Sequence, residues 1–311
     1  MHRTARATRS ILVPLILVVL IAACSRETWP EPAAVDPTKY QEEYAAWRAE
    51  RQQTIASSLP IVGIWALPEG ETPFGGDATL PVALRASDVP ARAGVLRRTG
   101  LDVTVHPAPG ANLRTGDGKA LDKPTSVGFG EGFALGSLKL ELAGAPDGRL
   151  WIMGVDTEHP AVKNPPAAQT YPLDPQWRVA ARFDAFESPR PLKVPDVRGG
   201  TMDFTAAGRL VFQVNGEESR LTVIDAGDEL AAFFKDPTNQ STTYAGYRIV
   251  HAKKVAPGEW TVLDFNLAYN PPCAFSPYTV CPLPPPENRL QVAVEAGEMR
   301  LPSAQGFVPA S

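Results

Sequence analysis

The chain is predicted to be mainly β, with one helix near the N-terminus, then a β-sandwich, then a second antiparallel β-sheet or partial-barrel domain. Three observations predict this. Proline fills 32 of 311 positions, about twice the usual share, which leaves few windows open to a long helix. Short runs alternate apolar and polar residues, as in Leu101-Asp102-Val103-Thr104-Val105 and Leu138-Lys139-Leu140-Glu141-Leu142, and period two marks a half-buried strand. Turn signals separate these runs, including Pro109-Gly110, Gly116-Asp117-Gly118 and Asn215-Gly216, the last a strong hairpin signal.

Residues 1–23 read as a secretory signal. Arg3, Arg6 and Arg9 form a basic start, Ile11 to Leu20 an apolar stretch, and Ile21-Ala22-Ala23-Cys24 a cleavage region, which is the layout of an exported chain. The apolar part is too short to span a bilayer, which needs about 20 residues. A cysteine directly after two small residues resembles the bacterial lipobox, so Cys24 is expected to be acylated and to hold the chain to membrane lipid. Position 25 is Ser rather than Asp, and the expected location is the periplasmic face of the outer membrane. Residues 24–36, with Pro30 and Pro32, read as a tether.

The remaining segments follow in order. Asp36-Pro37 opens a helix over residues 37–57, with Asp as N-cap and Pro at the first helical position. Tyr40, Tyr44 and Trp47 share one face of it, and that stripe is read as docking onto the β core. Residues 58–157 form the sandwich, whose strand pattern loosely resembles a forkhead-associated domain. Phe74-Gly75-Gly76 stands where that family has Gly-Arg, and no Ser-x-x-His follows, so phosphothreonine binding does not carry over. Residues 158–305 form the second β domain. Its strands are expected at Trp177–Phe183, Leu210–Val214, Leu221–Ile224, Leu230–Lys235, Tyr247–Ala252, Trp260–Phe265 and Leu290–Ala296.

Charge narrows the partners. The full chain carries 30 basic and 34 acidic residues; without the three arginines of residues 1–23 the balance falls to −7. An acidic chain of this kind is not expected to bind nucleic acid or an anionic lipid surface through a basic patch. No cofactor is expected. Gly128-Phe129-Gly130-Glu131-Gly132 lacks the Lys-Ser/Thr of a phosphate loop, and no Gly-x-Ser-x-Gly elbow occurs. His106, His159 and His251 lie in separate segments without ligand spacing, so no metal site is expected. In an exported chain the isolated pair Cys273 and Cys281 is expected to form a disulfide.

Several stretches resemble a bacterial family catalogued as domain of unknown function 1684. They are Tyr44 to Arg51, Tyr171-Pro172-Leu173-Asp174-Pro175-Gln176-Trp177-Arg178-Val179, and Phe234-Lys235-Asp236-Pro237-Thr238 with Thr243-Tyr244. The longest runs from Leu263-Asp264-Phe265-Asn266 through Tyr269-Asn270-Pro271-Pro272-Cys273 and Cys281 to Glu287-Asn288-Arg289-Leu290 and Glu295-Ala296-Gly297-Glu298. The resemblance covers about residues 40–300 and implies no activity. The chain departs from the family pattern after Thr238, where a glycine is replaced by Asn239, and at Tyr247, where glycine precedes the arginine.

The candidate binding residues are Asp264, Asn266, Tyr269, Asn270, Glu287, Asn288, Asp236 and Tyr244. Asp264 and Asn266 alternate at a strand end and so share a face. If paired strands bring Asp264 and Glu287 together, the two carboxylates suit a general acid and base, with Asn266 and Tyr244 orienting. That would make an envelope hydrolase. The other reading is that these residues cap turns through their own backbone, in a lipoprotein that binds a small molecule or protein, or is purely structural. The residues leave both readings open.

Overall fold

The computed structural model describes residues 29–85, 88–144, 148–197 and 199–301. Cys24 and the expected signal over residues 1–23 lie outside them. The chain divides at Pro30, and the described residues from Glu31 onward belong to one compact unit.

Helix α1 spans Pro37–Ser58. The Asp36 side chain accepts from the Lys39 N–H at 2.9 Å, which supplies an N-cap in place of the missing intrahelical acceptor. Its buried face is Tyr40, Tyr44, Arg51, Ile55 and Ser58. An arginine thus sits in the apolar stripe, and Trp47 stacks on Tyr44 with ring centroids 5.5 Å apart.

Ten short strands follow: β1 Ile61–Ala66, β2 Gly70–Gly75, β3 Val82–Ala83, β4 Gly94–Thr99, β5 Asp102–Pro107, β6 Arg114–Thr115, β7 Thr125–Val127, β8 Gly132–Leu135, β9 Leu138–Gly144 and β10 Leu150–Asp156. They form two five-stranded sheets, β1-β10-β9-β8-β6 and β3-β2-β4-β5-β7. Alternate residues of both sheets meet in one core, with Phe74, Leu96 and Val105 from one and Phe133, Leu140 and Ile152 from the other. This is the sandwich the alternating runs predict.

After a short helix α2, Pro160–Lys163, six strands close a barrel in sequence order: β11 Arg178–Pro195, β12 Thr201–Val214, β13 Glu217–Asp225, β14 Glu229–Phe234, β15 Arg248–Lys253 and β16 Trp260–Asp264. The expected antiparallel sheet or partial barrel is present and closes fully, because β11 also pairs with β16, Val179 opposite Leu263. Asn215 and Gly216 turn β12 into β13 with φ of 52° and 79°, as an Asn-Gly hairpin requires. Alternate residues point inward and fill the interior: Phe183, Phe212, Leu221, Phe234, Val250 and Leu263. Phe265, just after β16, plugs one end against Phe212 and Phe234, each ring 5.6 Å away.

Leu290–Ala296 forms no strand. A closed barrel offers no free edge for a further strand, and this segment crosses the barrel end instead. Leu290, Val294 and Ala296 bury their side chains there. Its backbone groups still need partners away from water; side chains provide them, as described below. Gly297 then passes close to the chain, with φ +75°, and a Cβ there would lie 2.4 Å from the Ala268 carbonyl oxygen.

Candidate functional site

The candidate residues fall into separate polar networks, which join the 264–298 segment to α1 and to strands of the barrel. The first lies at the exit of β16. Asp264 caps a 3₁₀ turn, Phe265–Leu267, by accepting from the Asn266 N–H at 3.0 Å. Its other oxygen accepts from the Tyr40 hydroxyl at 2.7 Å, and Arg178 lies 3.6 Å away. The Asn266 amide donates to Tyr40, to Asp264 and to the Asp174 carbonyl, and its oxygen accepts from the Asp174 N–H. Burial raises the Asp264 carboxyl above its ordinary range despite these donors, and burial with the Asp264 contact raises the Tyr40 phenol. Asp264 and Asn266 bond to each other and together grip α1 through Tyr40.

The second network is centred on Arg248, whose side chain is wholly buried against Asp236 at 3.0 Å. Arg248 shares the inward face of β15 with Val250 and Ala252. Its guanidinium donates to the carbonyls of Val294 and Ala296, and Asp236 accepts from the Val294 N–H at 2.7 Å. These are the partners that the 290–296 segment lacks as a strand. Asp236 also accepts from the Thr238 hydroxyl, and Asn239 closes a reciprocal cap on the Asp236 N–H. Burial lowers the Arg248 pKa, and Asp236 opposes that shift.

Asn288 does comparable work at a seam. Strands β13 and β14 are paired only at Ile224–Ala231 and Asp225–Leu230. Further along, where Thr222 would face Phe233, the Asn288 side chain stands between them. It accepts from the Thr222 N–H at 2.7 Å and donates to the carbonyls of Thr222 and Phe233 at 2.8 and 2.9 Å. One amide thus substitutes for a rung of the ladder.

The third network anchors the middle of α1. Arg51 donates to Glu298 at 3.1 Å and to the Asn270 carbonyl at 3.0 Å, and its guanidinium lies 4.4 Å from the Tyr269 ring centre. The Asn270 N–H also donates to Glu298 at 2.6 Å. Burial raises the Glu298 carboxyl, with Arg51 opposing. Tyr269 continues outward through its hydroxyl to His251 at 3.0 Å, and His251 to Glu229 at 2.7 Å.

The predicted carboxylate pair does not form. Asp264 is held by Tyr40 and Asn266, whereas Glu287 is exposed and accepts from the Thr222 hydroxyl at 3.2 Å. No described contact joins the two. The disulfide is a second correction, since Cys273 and Cys281 are unbonded and buried. Cys281 Sγ accepts from the Cys273 N–H at 3.3 Å, and the Tyr244 hydroxyl donates to Cys273 Sγ at 3.6 Å. The thiols are accommodated by hydrogen bonds inside an apolar cluster with Tyr247, Ile249 and Phe275, where a cysteine behaves as a small hydrophobe. Donation from Cys273 lowers the Cys281 thiol, and the same bond with burial raises Cys273. Tyr244, proposed as an orienting group, belongs to this cluster, where burial raises its phenol.

Sequence reasoning did not single out Arg51, Arg248 or Glu298. A signal existed for two of them. Arg51 falls on the helix face of Tyr40 and Tyr44, and Arg248 shares a period-two face with Val250 and Ala252.

One open concavity is lined by described residues that include none of the predicted set. It has a volume of about 570 Å³ and lies between the end of α1, the start of β1, α2 and the loop after Cys273. Leu59, Ile61, Ala161 and Phe275 form apolar walls, with His159, Asn164 and Tyr278 among them.

A family model described as "Protein of unknown function (DUF1684)" matches residues 166–299. The match holds all the barrel strands and excludes α1, so Tyr40 and Arg51 reach into it from outside. Among solved structures, the chain is similar to the solution NMR structure of an uncharacterised protein of Haloarcula marismortui. The two are 31% identical over 43% of this chain and 76% of that one, with a TM-score of 0.38. No curated protein matches the chain.

Proposed function

The chain belongs, through residues 166–299, to the DUF1684 family, and from that premise we propose that it is a non-catalytic binding lipoprotein of the cell envelope. Acylated Cys24 would tether it to membrane lipid on the periplasmic face of the outer membrane. The signal-like residues 1–23 and Ser25 support the location, and more than one acyl chain on the cysteine would make the anchor stable.

The observation that carries the non-catalytic reading is the fate of the carboxylates. Asp264 holds Tyr40 and Asn266, Asp236 holds Arg248 and Val294, and Glu298 holds Arg51 and Asn270. A general acid or base must reach a substrate proton, and these groups are saturated by the protein itself or buried beneath it. The hydrolase alternative has nothing in its favour, because Asp264 and Glu287 attach to different elements.

Two experiments test the proposal. Growth with labelled palmitate should mark the wild-type protein and leave Cys24→Ser unmarked; an unlabelled wild type would remove the anchor. A ligand screen on protein beginning at Ser25, which retains the compact unit from Glu31, should return its ligands chemically intact. Recovery of a converted product would contradict the non-catalytic reading.

A further inference from the structure

The open cleft carries an inference about ligand chemistry, which rests on the reading of the protein as a binder. Its volume of about 570 Å³ falls within the range of small-molecule sites, which are mostly apolar with a few placed polar groups. No charged side chain is among its lining residues. A carboxylate or phosphate entering it would lose water without gaining a counter-charge.

His159 is fixed in a particular way. It caps α2 by accepting from the Ala161 N–H through Nδ1 at 3.2 Å. In a neutral imidazole one nitrogen accepts and the other carries the proton, so Nε2 of His159 is a donor. Asn164 and Tyr278 also line the cleft, and their side chains have no hydrogen-bond partner among the described residues. In sequence, Val162 follows the lining residue Ala161 and Val280 lies two beyond the lining residue Tyr278, and both are exposed, at 48% and 47%.

We propose that this cleft binds a neutral small molecule with an apolar body and a hydrogen-bond-accepting end, such as a ketone, ester or amide carbonyl. The apolar body lies against Leu59, Ile61 and Phe275, and the carbonyl accepts from His159 Nε2.

The test uses a neutral aromatic ketone, 6-propionyl-2-dimethylaminonaphthalene, whose emission shifts to the blue in apolar surroundings. It is titrated into protein beginning at Ser25. Saturable one-to-one binding with a blue shift is expected. Asn164→Trp, at the exposed rim, and Ala161→Trp, in the wall, should each weaken binding at least tenfold, with folding checked by thermal melting. Should Ala161→Trp fail to fold, Asn164→Trp decides. His159→Asn keeps a capping oxygen and removes the Nε2 donor, and about a three- to tenfold loss is expected. Anilinonaphthalene sulfonate, a comparable body with a negative charge, should bind at least tenfold more weakly. No saturable shift, a shift indifferent to Asn164→Trp, or equal affinity for the sulfonate would overturn the assignment. These outcomes are separate from the non-catalytic reading: a converted ligand would sink that reading and leave the cleft, whereas failure of the ketone to bind would do the reverse.

Discussion

The sandwich and the barrel bury apolar cores of the same size, nineteen described residues each, but they treat polar groups in opposite ways. Among the described residues sixteen polar or charged ones are buried, and of these only Thr72 lies in the sandwich. The others lie in the barrel, in the segments that cover it, or on α1 where it meets them. A sandwich of ten short strands meets most backbone demands within its own ladders. The barrel has weak seams, β13–β14 with two paired positions and β15–β16 with one, and irregular chain across its end. Its unpaired backbone groups are met by Asp236, Arg248, Asn288 and Glu298. The difference teaches that a run of Asp, Asn and Glu near a C-terminus can be the fastening of a fold.

The comparison can be broken most forcefully at Arg248. Asp236→Ala leaves a guanidinium wholly buried without its anion, and removal of one partner from such a pair costs about 3–5 kcal/mol. Chemical denaturation should show a loss of that size; a change below about 1 kcal/mol would mean the pair does not hold the barrel end. Asn288→Ala strips partners from the Thr222 N–H and from two carbonyls. At least one buried group is then left unsatisfied, for an expected loss of about 2–4 kcal/mol. Hydrogen exchange at Thr222 should rise most.

In the sandwich the sign is expected to reverse. The Thr72 hydroxyl is buried with no hydrogen-bond partner, and burying such a group is costly. Thr72→Val should therefore stabilise by about 1 kcal/mol. A loss of stability would show that this hydroxyl has a role the apolar core conceals.

Glu298 provides a pH-dependent version of the contrast. Burial raises its carboxyl in the folded protein, so the native state holds the proton more tightly than the unfolded chain. The stability from this group is full below the unfolded value and is lost as pH rises through the folded value. Glu298→Gln cannot ionise and escapes that loss. The melting temperature of the variant relative to the parent should climb as pH rises across this window; a relative fall would contradict the raised value.

Much of the architecture was legible in local sequence. Asp36-Pro37 marked the start of α1, Asn215-Gly216 the hairpin, and the alternating runs most strands, because each is decided by neighbours along the chain. Closure of the barrel was not, since β11 meets β16 across more than sixty intervening residues and no local pattern encodes that register. The same cause hid the fate of Leu290–Ala296, whose alternation suits a strand but which meets no free edge. Within the candidate set, Asp264 with Asn266 was legible as a turn cap, whereas Asp236 and Asn288, singled out as binding residues, bond to the protein's own backbone. Their partners Arg248 and Thr222, and the pairing of Arg51 with Glu298, depend on long-range contacts. The spacing of Cys273 and Cys281 could not distinguish a bridge from two buried thiols.

The central claim is that the polar C-terminal segment fastens α1 and the chain end to the barrel. Tyr40→Phe removes one hydroxyl, which donates to Asp264, and leaves the apolar face of the ring in place. Native-state hydrogen exchange of this variant is the most direct measurement. Faster exchange in α1 and around Asn266, with amides of the sandwich strands unchanged, is the expected result. Unchanged protection of α1, or an equal loss in the sandwich, would contradict it.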